Sequence, residues 1–294
     1  MADNKACEGC NTKDSCSGTS CSLSEESMEQ IMEKLNLAEQ LGKIKNKILV
    51  ISGKGGVGKS TVSANMAISL ALAGKKVGLL DVDIHGPSIP KLLKLEDEKL
   101  YSDGVKIIPS SVGDNLKVMS IAFMLQDRDD AVIWRGPMKY SIIKQFISDV
   151  DWGELDYLIV DCPPGTGDEP LSVVQIMENP DGAVVVTTPQ DLSTSDVRKS
   201  IQFCHKLNLK VLGVIENMSG FVCPHCGERT DIFKSGGGER MAEDMKVPFL
   251  GRIPIDPNIV EASDSGTPYV YHFAKSEAAK AFEEVIKPLL KMSE

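Results

Sequence analysis

Ile48-Leu49-Val50-Ile51-Ser52-Gly53-Lys54-Gly55-Gly56-Val57-Gly58-Lys59-Ser60-Thr61 is the stretch on which the fold turns. Its first four residues read as a buried strand, and a helical pattern runs from about Ser60 to Ala73. Between them, Gly53 to Thr61 satisfies G-x-x-x-x-G-K-[ST], with a second lysine, Lys54, inside the loop. Backbone N–H groups that lead into a helix N-terminus cradle phosphate, so the loop predicts a bound nucleotide. A glycine-rich turn without that role has no need of Lys59 followed by Ser60.

From residue 47 onward, strand and helix patterns alternate. Strands are predicted at 47–52, 77–82, 116–121, 155–161, 182–188, 210–215 and 248–253. Helices are predicted near 60–73, 137–149, 168–177, 194–207, 236–245 and 275–290. Several strands are continuous Val/Ile/Leu runs, the composition of a sheet covered on both faces. The expectation is an α/β fold of the P-loop NTPase type: a mostly parallel twisted sheet with helices on both faces. Ligand chemistry then gathers at the carboxyl ends of the strands. Residues 1–23 are Cys/Ser/Thr/Asn/Gly-rich and predict a disordered tail, with one domain over 24–294. A helix is expected over Glu25 to Leu41, with Met28, Ile31, Met32 and Leu35 on one face. Ser22 and Glu25 suit a capping box, and Gly42 a C-terminal stop.

The chain has 294 residues and a net charge of −10, with 25% charged and 42% hydrophobic residues. That balance is ordinary for a globular protein and argues against bulk attraction to nucleic acid or an anionic membrane. No apolar run reaches the ~18 residues of a spanning helix. The polar Met1-Ala2-Asp3-Asn4-Lys5 start does not read as a signal peptide, so a cytoplasmic location is expected. There, eight cysteines read as metal ligands or buried thiols rather than disulfides.

Three more segments end at the loop's edge of the sheet: Asp81-Val82-Asp83, Asp161-Cys162-Pro163-Pro164-Gly165-Thr166-Gly167-Asp168, and Glu216-Asn217. Phosphoryl transfer needs Mg²⁺, a positioned water and cations on the phosphate oxygens. Ser60 and Asp161 are the candidate Mg²⁺ ligands, Lys59 the cation on the β- and γ-phosphates, and Asp83 the group that orients the attacking water. Taken singly, Asp81, Asp83 and Asp161 read as caps of the turns that follow; beside a complete phosphate loop the catalytic reading prevails. Asn217 reads equally as a turn residue or a base contact. Gly236-Gly237-Gly238 reads as a flexible connector in preference to a second anion site.

Cys223-Pro224-His225-Cys226-Gly227 is a C-x-x-C knuckle within the segment 217–230, a spacing that brings two thiolates to one metal. Structural Zn²⁺ and iron–sulfur sites need four ligands; a two-fold dimer supplies them from two chains. A redox dithiol, or a zinc ribbon completed by the tail, fits the same spacing, which does not choose iron over zinc. Cys7, Cys10, Cys16 and Cys21 form a candidate N-terminal site. Cys162 and Cys204 sit in apolar contexts and read as buried small hydrophobes.

With these residues assembled, the chain resembles the Mrp/Nbp/ApbC family of iron–sulfur cluster carrier ATPases, of the MinD/ParA-like class. The motifs that carry the likeness are Gly53–Thr61, Asp81–Ser88, Asp161–Asp168, Glu216-Asn217-Met218-Ser219 and Cys223–Gly227. The resemblance implies that Lys54 reaches the partner subunit's nucleotide, that Asn217 reads adenine so the nucleotide is ATP (and ADP after hydrolysis), and that Cys223 and Cys226 bridge a [4Fe–4S] cluster between two subunits. The expected partners are a second copy, a scaffold or cluster donor, and apo-proteins that receive the cluster; neither nucleic acid nor membrane is among them. In the tail, Cys7, Cys10 and Cys16 match the end of a four-cysteine site found in eukaryotic members, while Cys21 lies downstream in place of an upstream ligand. Alternative readings are a positioning ATPase, an ATP-driven reductase and a zinc-stabilised scaffold. The first needs a basic amphipathic C-terminal helix. Residues 275–294 instead mix lysine with glutamate, and Pro288 is expected to interrupt them.

Overall fold

The computed structural model describes residues 25–84, 86–125, 136–223 and 225–293. The chain divides into two units, residues 1–35 and 36–294. The described part of the first is the opening stretch of helix α1 (Glu25–Gly42). Ser22 of the expected capping box and the tail cysteines lie outside the described residues.

The second unit runs from the end of α1 through β1 (Ile44–Ser52), α2 (Lys59–Leu72), β2 (Val77–Asp81), α3 (Ile89–Leu92), β3 (Tyr101–Ser102), β4 (Ile107–Ile108), β5 (Ser110–Val112) and β6 (Leu116–Ser120). It continues with α4 (Gly136–Ser148), β7 (Leu155–Asp161), α5 (Asp168–Ile176), β8 (Gly182–Thr187), α6 (Asp191–Lys206), β9 (Val211–Val222) and β10 (Arg229–Thr230). It closes with α7 (Gly237–Met245), β11 (Phe249–Ile255), α8 (Pro257–Ser265), α9 (Tyr269–His272) and α10 (Glu277–Leu290).

Nine strands form one sheet in the order β10-β9-β8-β1-β7-β2-β6-β5, with β11 also on β9. All of its pairings are parallel except β10 on β9 and β5 on β6. Every residue of β2 and β8 is buried. Successive strand residues face opposite ways, so unbroken burial means both faces are covered. Register brings the last residues of neighbouring strands side by side at the carboxyl edge, Asp81 opposite Asp161, and sets Thr187, the last residue of β8, opposite Glu216 within β9.

Three expectations change. β9 does not stop at residue 215 but continues to Val222 and turns back as β10. Pro288 lies inside α10 and does not end it: Phe282, Val285, Ile286 and Leu289 stay buried on one face, and that packing holds the helix through the missing N–H. Helix α8 was not foreseen; Asp256 caps it by accepting the Asn258 N–H at 2.9 Å, with Pro257 at the first turn.

Candidate functional site

The loop between β1 and α2 is shaped by glycines the backbone requires. Gly56 and Gly58 have φ of +79°, a region L side chains rarely adopt. A Cβ on Gly58 would stand 2.3 Å from Asn217 Nδ2, and one on Gly53 2.5 Å from the Asp196 carbonyl carbon. The loop therefore lies directly against α6 and against β9 at Asn217. Ser52 Oγ donates to the Lys54 carbonyl at 3.0 Å and steadies the turn. Gly55 and Gly56 are exposed, Val57 is buried, and Thr61 is half-buried on the first turn of α2.

Behind the loop, Asp161 is the hub. It is fully buried at the end of β7. Lys59 Nζ donates to Oδ1 at 2.7 Å, Ser63 Oγ to the same oxygen at 2.7 Å, and Ser60 Oγ to Oδ2 at 2.5 Å. Lys59 Nζ also stands 4.0 Å from Asp83 Oδ2. Burial pulls the Lys59 ammonium down, but the charge and hydrogen bond of Asp161, with Asp81 and Asp83 beyond, hold it above its ordinary value. Asp161 is thus not a turn cap. Asp81 is one: it accepts the Asp83 N–H at 3.1 Å, the Ile89 N–H at 3.3 Å and Ser120 Oγ–H at 3.1 Å. Burial, then the neighbouring Asp161 charge, pushes its carboxyl up to about 8. Lys54 is half-buried, and among the described residues its ammonium has no hydrogen bond or ion pair. Ser63 was missed from the sequence, although its position one turn after Lys59 puts it on the same helix face.

Asn217 Nδ2 donates to the Val57 carbonyl at 2.9 Å, tying β9 to the loop. Glu216 is fully buried and accepts the Gly236 N–H at 2.8 Å, the Gly238 N–H and Ser219 Oγ–H. Gly236-Gly237-Gly238 is therefore not a flexible connector. It is the start of α7 pressed on Pro189, where a Cβ on Gly237 would meet the Pro189 carbonyl oxygen at 2.1 Å. The anion it holds is the chain's own carboxylate.

The knuckle stands at the tip of the β9–β10 hairpin. The Cys223 N–H donates to the Glu228 carbonyl and the Gly227 N–H to the Cys223 carbonyl, both at 2.9 Å, and Gly227 has φ of +72°. The Cys223 sulfur accepts the N–H groups of Cys226 and then His225, which draws its pKa below the ordinary value. Cys226 is exposed. Among the described residues, no three His, Cys, Asp or Glu side chains cluster as a metal site. Cys162 and Cys204 are buried as expected; burial pushes both thiols up, Cys204 to about 12.

A parallel sheet carrying a phosphate loop, a buried lysine and strand-end carboxylates defines a P-loop NTPase. The family model described as the ParA-group NUBPL iron-transfer P-loop NTPase matches residues 43–290, and the chain belongs to that family. It is 48% identical to the iron-sulfur cluster carrier protein of Methanocaldococcus jannaschii, over 98% of this chain and 96% of that one. It is 52% identical to the cytosolic Fe-S cluster assembly factor CFD1 of Saccharomyces cerevisiae, over 86% of this chain and 90% of that one. The solved nucleotide-binding protein of Archaeoglobus fulgidus, in complex with ADP, superposes with a TM-score of 0.72 at 44% identity, covering 81% of this chain and 93% of that one. No helix among the described residues is long and apolar enough to cross a membrane.

Proposed function

We propose that the chain is a cytoplasmic ATPase that works as a homodimer and carries a [4Fe–4S] cluster, received from a scaffold or donor protein, to apo-proteins. The observation that carries this reading is a half-complete thiolate site in the hairpin turn that follows β9, the strand that bears Asn217, the phosphate loop's partner. Cys223 and Cys226 offer two sulfurs where a cluster needs four, and a second copy on a two-fold axis supplies the other two. The names borne by the relatives agree with a cluster cargo.

At the nucleotide, Lys59 holds the β- and γ-phosphates and Asn217 the adenine, with the backbone of Gly53 to Thr61 around the phosphates. Ser60 and Asp161 are hard oxygen donors suited to Mg²⁺, which neutralises charge between the phosphates when bound. Asp83, 4.0 Å from Lys59, is the group we assign to orienting the attacking water. The unpartnered Lys54 reaches across the dimer to the other nucleotide. Cys7, Cys10, Cys16 and Cys21 remain a candidate second site.

Anaerobic reconstitution with iron and sulfide, followed by metal analysis, tests the reading. The native chain should hold iron with a visible chromophore, and Cys223→Ala should lose it. Unchanged iron in that variant, or zinc as the metal retained after anaerobic purification, would overturn the cluster assignment.

A further inference from the structure

Glu216 has no part in the chemistry above, yet it is among the most completely enclosed charged groups of the chain. A carboxylate at 0% exposure persists only with full hydrogen bonding. Here two N–H groups at the positive end of α7 and the Ser219 hydroxyl supply it, with Arg252 Nε 3.7 Å away. Successive strand residues point to opposite faces, so Glu216 and Asn217 grip β9 from both sides. One fastens it to α7, the other to the phosphate loop at Val57.

The strand beyond this double grip is irregular. Asn217 pairs with Ile253 and Phe221 with Ile255, so four steps along β9 pass two along β11. Met218 has φ of +56° and Gly220 +78°. Such a bulge bends the strand, and a non-glycine residue at positive φ persists only where its surroundings impose it. Ser219, the middle of the bulge, donates to Glu216 through its hydroxyl, and its carbonyl accepts from Arg229 Nη2 at 3.4 Å. Arg229 opens β10, the return strand of the cysteine hairpin. An unbroken set of contacts therefore runs from Val57 through Asn217, Glu216, Ser219 and Arg229 to the hairpin that bears Cys223.

We propose that Glu216 is a positioning residue that couples the two sites: its grip on α7 and Ser219 sets the bulge, so nucleotide in the loop alters the accessibility of the Cys223/Cys226 knuckle. This rests on the proposed function for its purpose, but the test needs no iron. Metal-free full-length protein is treated with iodoacetamide, with and without Mg²⁺ and a non-hydrolysable ATP analogue, and alkylation at Cys223 and Cys226 is followed by peptide mass spectrometry. Nucleotide affinity is measured in parallel by calorimetry. In the native chain nucleotide should change the alkylation rate by about fivefold or more, the lower end of ordinary coupling between sites. Glu216→Gln replaces one accepting oxygen by an amide facing N–H donors. It should still bind the analogue at saturating concentration yet bring the ratio to within about twofold of unity. Ser219→Ala, a milder change, should give a ratio between the two and keeps the test open if Glu216→Gln does not fold. A native ratio near one, or a native-sized ratio in Glu216→Gln or Ser219→Ala, overturns the coupling while leaving the iron assignment untouched.

Discussion

Removing the Lys59 charge while keeping its length, as Lys59→Met, takes away the ammonium that contacts both Asp161 and Asp83, in a pocket already holding Asp81. At 2.7 Å from Asp161 and 4.0 Å from Asp83, the ammonium contributes a gross attraction of about 6 and about 4 kcal/mol at an effective dielectric of about 20. The lysine's own desolvation offsets much of this. Breaking a buried pair on one side costs about 3–5 kcal/mol net. For a domain of this size that lowers Tm by roughly 6–20 °C, at about 2–4 °C per kcal/mol. The sign with pH follows from Asp81: burial and Asp161 raise its carboxyl and the Lys59 charge holds it down, so losing that charge raises it further. The folded state then binds more protons relative to the unfolded, and the deficit grows as pH rises. Thermal melts of native and variant protein at pH 5.5 and 8.5, without nucleotide or divalent ion, measure this. The variant should also lose hydrolysis while its cysteines still take up iron. A Tm within about 2 °C of native at pH 8.5, or a deficit that does not change with pH, would refute the claim that Lys59 neutralises this cluster.

Other outcomes follow from the same geometry. Gly58→Ala forces a Cβ against Asn217 Nδ2 at positive φ, a strain of about 1–2 kcal/mol before the clash; calorimetry should show weakened nucleotide binding, and native affinity would contradict the close approach. Asp81 has its carboxyl raised from 3.8 to about 8. The stability this group contributes is complete below pH 4 and is lost as pH rises through 8, at no more than about 1.4 kcal/mol per pH unit. Urea midpoints at pH 5, 7 and 9 should show that slope, and Asp81→Asn should flatten it. With its sulfur accepting two backbone N–H groups, Cys223 should alkylate with a midpoint below that of a free thiol, while Cys162 and Cys204 stay unlabelled until the protein unfolds.

The sheet and the phosphate loop were legible because their signals are local and strong. β1, β2, β7 and β8 are continuous aliphatic runs, and the loop motif fixes what must lie on either side. β9 beyond residue 215 was not legible. Asn217, Ser219 and Gly220 carry turn chemistry, and a bulged strand held by Glu216 and β11 looks in sequence like a strand that has ended. Gly236-Gly237-Gly238 looked flexible for a related reason. Glycine there answers the closeness of Pro189 and Glu216, contacts distant in sequence. β3, β4 and β5 are two or three residues long, too short for any period to show. At the site, Lys59, Ser60, Asp83 and Asp161 were read from the motif and from strand ends, and the fold brings them together. Ser63 was not, and Glu216 was placed at a strand end without a role, because a buried serine or glutamate carries no signature until its partners are known.

Sedimentation of anaerobically reconstituted protein with Mg²⁺ and ATP, read at both the protein and the iron–sulfur absorbance, tests the central claim most directly. The account expects a species of two chains carrying about four iron atoms at the shared site, and a Cys223→Ser/Cys226→Ser chain that lacks that iron. A native chain that sediments as one copy, or a doubly substituted chain that keeps the same iron, would contradict it.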